Sequence, residues 1–402
     1  MRALFLNSLY DPHIGGGAEI ILQQTVEGLQ KRGMDVMVLA TGPEKGLRLD
    51  RVNGVPVYRA GLSNLYWHHT QERPGRFTRL AWHIVDRYNA RMRRYVREVI
   101  ARECPDIVIC HNLSGWSVSA WDEVKAADLP IVQVLHDMYL LCPRSTMFNQ
   151  GKTCPQRCGQ CQTLRQPHPQ ASQQVDAVIG VSRFLLDKLT ANGYFGLATS
   201  HVIYNCSVVP KPTFRCERLP NAPLRFGYMG TLSDNKGVAW LIEEFQAQKG
   251  MHAMLYIAGR GQLDYVAHLK RLADPSRVRF IGYQSPQTFY SAIDVAVVPS
   301  RWAEPFGMVA VEACAHGVPV IATRMGGLSE IIQDRFNGLL CSPAQPESLG
   351  VALRTLHDDK PLRERLAYQA RSSVSALLGQ DRMLDEYETI IRQTVAKRKA
   401  RA

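Results

Sequence analysis

Two carboxylates, Glu304 and Glu312, stand eight residues apart in the stretch 299–330, PSRWAEPFGMVAVEACAHGVPVIATRMGGLSE. On a single helix they would lie about 12 Å apart along its axis, at ~1.5 Å per residue. Glycoside hydrolysis needs its carboxylate pair at roughly 5–9.5 Å, so this spacing suits two ends of an extended ligand better than one scissile bond. Phe306-Gly307 leads into the apolar helix that carries Glu312, and Gly326-Gly327 and Glu330 follow the next short strand. Upstream, Gly230-Thr231-Leu232 and Lys236-Gly237 follow one apolar strand and Gly259-Arg260-Gly261 follows another. Near the N-terminus, Gly15-Gly16-Gly17 separates a strand at 3–7 from a helical pattern at 20–32. Glycine between strand and helix lets backbone N–H groups reach an anion with no Cβ in the way. The alternative for the N-terminal run is a plain tight turn, since its spacing is not GxGxxG.

Polar residues directly after parallel-type strands sit where open α/β sheets bind ligands. His111-Asn112 follows the strand 107–110, and His136-Asp137 follows 131–135. Ser182 and Asn205 stand just past two later strands. His136 is the stronger candidate of the two histidines because it leads into an unusual loop, although a histidine at a strand end is often only structurally satisfied. In and after that loop Cys142, Cys154, Cys158 and Cys161 run C-x11-C-x3-C-x2-C. Four thiolates can complete a structural tetrahedral zinc site; free thiols packing a loop are the alternative.

The elements that must position these residues fall into two β/α series. At 402 residues the chain is long for one core, which points to two domains of about 200 residues each. A proline-rich linker at 209–223 divides an N-terminal domain, 1–208, from a C-terminal one, 224–380. A helix and basic tail at 381–402 follow, and the helix is expected to cross back to the first domain. Apolar content of 46% and charged content of 21% are those of an ordinary globular protein. No apolar run approaches the ~18 residues of a membrane span. The N-terminus reads as a first strand rather than a signal peptide, so the expected location is cytoplasmic, with the ten cysteines mostly reduced.

A net charge of +12 asks for an acidic partner: nucleotide, anionic lipid or nucleic acid. Leu80, Ile84, Tyr88, Met92, Tyr95 and Val99 recur at helical spacing while Arg87, Arg91 and Arg94 crowd the other face. A basic helix over 76–102 can lie on an anionic membrane surface; a solvated charged face is the alternative. Lys397, Arg398, Lys399 and Arg401 form a second basic cluster.

Taken in order, these motifs resemble the retaining GT-B glycosyltransferases of family 4. The likeness rests on Glu304 and Glu312 with Pro-Phe-Gly between them, on Gly230, Leu232, Lys236 and Gly237, on Gly15-Gly16-Gly17, on Gly326, Gly327 and Glu330, and on Asn205. It implies two Rossmann-like β/α/β domains facing across a cleft, and transfer of a sugar from a nucleotide diphosphate to a hydroxyl without a bound catalytic metal or other cofactor. It also implies roles. Lys236 and the amides of Gly16, Gly17, Gly230, Gly259 and the Phe306-Gly307 helix start would meet the departing diphosphate. Glu312 would take the ribose hydroxyls, Glu304 the sugar hydroxyls, and His136 the sugar near its anomeric centre. Asp137, Ser182 and Asn205 fall on the acceptor side.

Thr231 stands where many relatives carry arginine, so a second cation would come from Arg260 or Arg301, or backbone amides would serve instead. Cys206 stands where glycine usually follows the asparagine. Replacing Lys236 with alanine is expected to lower turnover and leave the fold intact. The acceptor is expected to be a glycan or lipid-linked precursor of a cell-surface polysaccharide or glycolipid, reached from the inner face of a membrane. The rivals are a sugar-nucleotide epimerase of the same architecture and a basic nucleic-acid-binding protein; for the latter the expected recognition motifs are absent, and no nucleic-acid partner is expected.

Overall fold

A computed structural model of the chain describes residues 1–69, 74–208 and 221–400. Most of the expected linker (209–220), Arg73 and Arg401 lie outside the described residues. The chain divides into two compact units: Met1–Met147, Pro155–Asn205 and Gln380–Ala402 form one, and Phe148–Cys154 with Cys206–Gly379 form the other.

The central strands of the first unit are runs of buried apolar residues, as strands covered on both faces must be, whereas the edge strands Leu47–Val52 and Thr199–Val202 are more exposed. They are β1 (Arg2–Asn7), β2 (Asp35–Gly42), β3 (Leu47–Val52), β4 (Val55–Gly61), β5 (Ile107–Cys110) and β6 (Ile131–Leu135). A short hairpin, β7 (Phe148–Asn149) and β8 (Lys152–Thr153), belongs to the second unit; β9 (Ala177–Gly180) and β10 (Thr199–Val202) then complete the first. The sheet order is β10-β9-β6-β5-β1-β2-β4-β3, parallel except for β3. Strand order reverses between β1 and β5, the switch point at which open α/β sheets take ligands.

The second unit repeats the plan with β11 (Leu224–Met229), β12 (Ala253–Ala258), β13 (Val278–Gly282), β14 (Val295–Val298), β15 (Val320–Thr323) and β16 (Gly338–Cys341). Their order is β13-β12-β11-β14-β15-β16, all parallel, so its switch point lies between β11 and β14. The result is the GT-B arrangement of two Rossmann-like sheets.

The C-terminal helix Asp381–Lys399 packs on the helix Gly17–Lys31 of the first unit. A Cβ on Gly28 would come within 2.6 Å of Leu384, and Arg32 bonds Asp381 at 2.8 Å and Asp385 at 2.5 Å.

The single basic helix expected over 76–102 is instead two helices, Arg76–Arg87 and Arg93–Glu103. Buried Asn89 breaks it: its amide bonds the carbonyls of Ser63 and Gly115, and its N–H donates to Ser117 Oγ. The two halves then differ. Met92, Tyr95, Val96, Val99 and Ile100 lie in the core, whereas Phe77, Leu80 and Ile84 of the first helix are 90%, 39% and 58% exposed.

Candidate active site

In the second unit the loops after β11 and β14 meet at the switch point. Lys236 closes the turn Asp234–Lys236, and its Nζ bonds Glu304 Oε1 at 2.6 Å. Ser300 Oγ donates to the same oxygen at 2.5 Å. Glu304 Oε2 has no partner among the described residues, so one oxygen of this 5%-exposed carboxylate is anchored and the other is free for a ligand. Lys236 also stands 5.3 Å from the centre of the Trp302 ring, a contact that nothing in the sequence pattern signalled. Lys236 is therefore held by two side chains, Glu304 and Trp302. Removing it leaves a buried carboxylate with Ser300 alone, so a cost in stability is expected alongside the loss of turnover.

Glycine at 237 and 326 is dictated by close approach. At Gly237, φ is +73° and a Cβ would sit 1.9 Å from Pro299 O, so the phosphate-loop candidate is clamped onto the end of β14. At Gly326, φ is +60° and a Cβ would sit 2.2 Å from Glu304 O; the next residue, Gly327, donates its N–H to that same oxygen at 2.8 Å. Gly326-Gly327 thus holds the backbone that presents Glu304. Leu232 N–H donates to Arg260 O at 2.8 Å, tying the Gly230 loop to the Gly259 loop.

Of Arg260 and Arg301, Arg301 lies at the Gly230–Gly237 loop: its Cγ is 3.2 Å from where a Gly237 Cβ would be, and it pairs with Asp234 at 3.7 Å. Arg260 instead stacks over Tyr283 at 5.1 Å. The hairpin β7/β8 joins this cluster, Thr153 Oγ1 donating to Arg301 O at 2.8 Å.

Gly307 caps the helix Met308–Ala315, which carries Glu312 in its second turn, and Phe306 is buried in front of it. Glu312 is half-buried and its carboxylate has no partner among the described residues. Burial without compensation pushes it up to about 7.

In the first unit Gly16 caps the helix Gly17–Lys31, and its N–H donates to Glu19 Oε2 at 2.8 Å. Glu19 is buried, which raises its carboxyl, and it also bonds Asn112. Its role in shaping the glycine loop was missed; the glycine-to-glutamate spacing of a capping box was the signal for it. Among the described residues no atom lies within 4 Å of where a Cβ on Gly16 or Gly17 would sit. That face of the loop is open to a ligand.

His136 follows β6 and stacks on His111, ring centroids 5.0 Å apart, with His111 Nδ1 and His136 Nε2 at 2.8 Å. Burial lowers both imidazoles, His136 to about 4 and His111 well below its usual range. Both line one pocket with Asn112, Gln133, Asp137 and Tyr139.

Asp137 accepts the Tyr139 N–H at 2.7 Å, and burial pushes its carboxyl up to about 6. Ser182 is fully buried, and its hydroxyl accepts Leu185 N–H at 3.1 Å as the cap of the helix Arg183–Thr190. Asn205 is nearly buried at the end of the first unit. The structure places the Asp137 and Ser182 side chains in local loop and cap bonding.

The four-cysteine zinc set is not assembled. Cys154 belongs to the second unit and Cys142, Cys158 and Cys161 to the first. Among the described residues no group of three or more histidine, cysteine or acidic side chains is placed to hold a metal ion. Cys158 Sγ lies 3.6 Å from Cys161 Sγ, and the bond between Cys161 and Cys142 holds the Cys142 thiol below its usual range. No helix among the described residues is long and apolar enough to cross a membrane.

Comparison with known proteins bears on the family and the fold. The sequence matches the family described as "Glycosyl transferases group 1" over residues 213–373, and the "Glycosyl transferase 4-like domain" over 16–206. An "Uncharacterized 42.6 kDa protein in cps region" of Klebsiella pneumoniae is 30% identical over 332 residues, covering 82% of this chain and 87% of that protein. Glycogen synthase of Mycobacterium tuberculosis is 28% identical over 403 residues, covering 94% of this chain and 91% of the enzyme. Among solved structures, sucrose-phosphate synthase from Thermosynechococcus elongatus superposes with a TM-score of 0.77 at 20% identity, covering 98% of this chain and 99% of that one; at that identity the likeness is one of fold.

Proposed function

The chain belongs to the group 1 glycosyl transferases and is a glycosyltransferase; from there we propose that it is a retaining, family 4 enzyme that moves a sugar from a nucleoside-diphosphate donor to a hydroxyl. The observation that carries this reading is the Lys236–Glu304 pair at the β11/β14 switch point, with Glu312, whose carboxylate has no partner among the described residues, on the helix just beyond.

As the glycosidic bond breaks, negative charge grows on the departing diphosphate, and a preorganised cation there lowers the barrier. Lys236 supplies that cation and Arg301 the second, while the N-terminus of the helix Met308–Ala315 adds dipolar stabilisation. Glu304, anchored through Oε1, offers Oε2 to the sugar hydroxyls and so fixes the donor's pose. Glu312 accepts from the ribose hydroxyls. In the first unit, His136 is assigned to a sugar hydroxyl and the open amides of Gly16 and Gly17 to an anionic ligand group. No metal has a role in this scheme, so turnover should survive EDTA; complete loss restored by magnesium contradicts it.

The acceptor reading takes its support from the helix Arg76–Arg87. Phe77, Leu80 and Ile84 form one exposed apolar stripe beside Arg76 and Arg87, the composition of a helix that lies in an anionic lipid interface. We therefore favour a lipid-linked acceptor in cell-surface glycan synthesis and a peripheral place on the inner membrane face. Co-sedimentation with phosphatidylglycerol vesicles at low salt, lost in Phe77→Ala/Ile84→Ala, is the expected result; equal recovery of both proteins in the pellet overturns the stripe's role. Retention is read from the anomeric proton coupling of the product by NMR. A product of the same configuration as the donor is expected, and an inverted one removes the assignment.

A further inference from the structure

We infer that His111 is a positioning residue that fixes His136 in the tautomer carrying its proton on Nδ1, so that His136 meets the transferred sugar as a neutral hydrogen-bond donor. This rests on the reading of His136 given above.

The two rings leave little freedom. Their planes are 19° apart, Nδ1 of His111 and Nε2 of His136 are 2.8 Å apart, and the residues are 2% and 8% exposed. His111 is itself held at its backbone, where Gln133 Nε2 donates to its carbonyl at 2.7 Å while Trp121 Nε1 bonds the other end of that amide at 3.2 Å. Both imidazoles are kept neutral by burial at physiological pH, so the bond between them contains one proton.

That proton has two possible homes. If it sits on His136 Nε2, then His111 must carry its own proton on Nε2. His111 Nε2 is buried with no hydrogen-bond partner among the described residues, so this arrangement buries an unpaired N–H donor. Such a donor keeps its full desolvation penalty, and orphaned buried N–H groups are rare in folded proteins. If the proton sits on His111 Nδ1, the unpaired atom is only a ring lone pair. His136 Nε2 then accepts, and the His136 proton must be on Nδ1, which has no partner among the described residues. A donor at Nδ1 can bond a sugar oxygen, or an oxygen gaining charge as the donor breaks apart, without having to take up a proton first.

Substitutions at 111 separate the bond from the shape. His111→Asn keeps an N–H near Nδ1, His111→Asp offers only an acceptor, and His111→Phe offers neither. With UDP-glucose, or whichever nucleotide sugar the wild type turns over, Asn should retain kcat within about threefold. Asp and Phe should lose about tenfold or more, the worth of one hydrogen bond of ~1.4 kcal/mol. Affinity for the free nucleoside diphosphate should not change in any of them. Asp should also bring a new limb into the pH–rate profile between pH 5 and 8, because a carboxylate beside His136 raises its pKa. In the wild type, ¹⁵N NMR of the imidazoles should find the His136 proton on Nδ1.

A proton on Nε2, or equal losses for Asn and Phe with both folded by circular dichroism, overturns the inference. His136→Ala distinguishes the two levels. If it turns over normally, the catalytic reading of His136 fails, while the NMR result still decides the tautomer.

Discussion

The two switch points solve opposite electrostatic problems. At β11/β14 the groups are ionic and already paired: Lys236 with Glu304, Arg301 with Asp234. At the loops after β1, β5 and β6 they are buried: two stacked imidazoles kept neutral, and Glu19 with its carboxyl raised by burial. A diphosphate brings its own charge and needs fixed countercharge, which the second unit keeps stable between turnovers by holding each cation against a carboxylate. A sugar brings only hydroxyls and ring oxygen, and buried hydrogen-bonding groups such as His111 and His136 are of the kind that suits them. On the proposed reading, fixed charge would serve the leaving diphosphate and desolvated hydrogen-bonding groups the sugar.

Breaking the ionic side should have the largest effect. Lys236→Ala is expected to lower kcat by about 10²–10³-fold, the scale for losing one preorganised charge-stabilising group. The same change should cost about 1–3 kcal/mol of stability, because Glu304 stays buried with Ser300 alone. Lys236→Met/Glu304→Gln should recover the stability and not the activity. Chemical denaturation beside steady-state kinetics separates the two, and a single variant of unchanged stability contradicts the pairing.

The glycines sharpen the comparison from the backbone. Gly237→Ala should destabilise the second unit by more than about 2 kcal/mol, since its Cβ would meet Pro299 O and its φ is left-handed. Gly16→Ala should change stability by less than ~0.5 kcal/mol, because nothing among the described residues occupies that space and its φ of −178° is ordinary extended backbone. It should still lower kcat/KM about tenfold by placing a methyl where a ligand oxygen approaches. A stable Gly237→Ala would mean the clamp is loose.

Glu312 gives the pH dependence. Its folded value, about 7, lies above that of the unfolded chain, so the folded state binds the proton more tightly. The resulting penalty is present above pH 7 and disappears as pH falls. Glu312→Gln should therefore raise the melting midpoint at pH 8 and not at pH 5. Nucleotide binding runs the other way: only the carboxylate accepts ribose hydroxyls, so affinity should fall about tenfold from pH 8 to pH 6, following the ionised fraction. A flat affinity profile in the wild type would remove Glu312 from the ribose. The smallest expected effect is that of Ser182→Ala, about 1 kcal/mol of stability from a lost cap with KM unchanged.

Much of this was legible in the residues. Strand–glycine–helix edges, the two-domain grammar and the carboxylate spacing are local signals, and they located both switch points. What stayed hidden depends on contacts far apart in sequence. Lys236 and Glu304 are separated by 68 residues, and no local pattern says that they pair. The periodicity through 76–102 was real, yet Asn89 found partners at Ser63 and Gly115, and tertiary hydrogen bonds overrode helical spacing. The cysteine spacing suggested a shared metal, but residues 148–154 fold with the second unit and carry Cys154 with them. Ser182 and Asp137 had the right positions after strands, and their own backbone neighbours claimed their side chains.

The central claim is that the β11/β14 switch point holds a nucleoside-diphosphate sugar. Its most direct test is the melting midpoint of the full chain at pH 8 against a panel of nucleotide sugars and free nucleoside diphosphates, with Glu312→Gln in parallel. A saturable rise is expected for at least one nucleotide sugar and its matching diphosphate, strongly reduced in Glu312→Gln. No rise with any nucleotide, or the same rise in the variant, would contradict it.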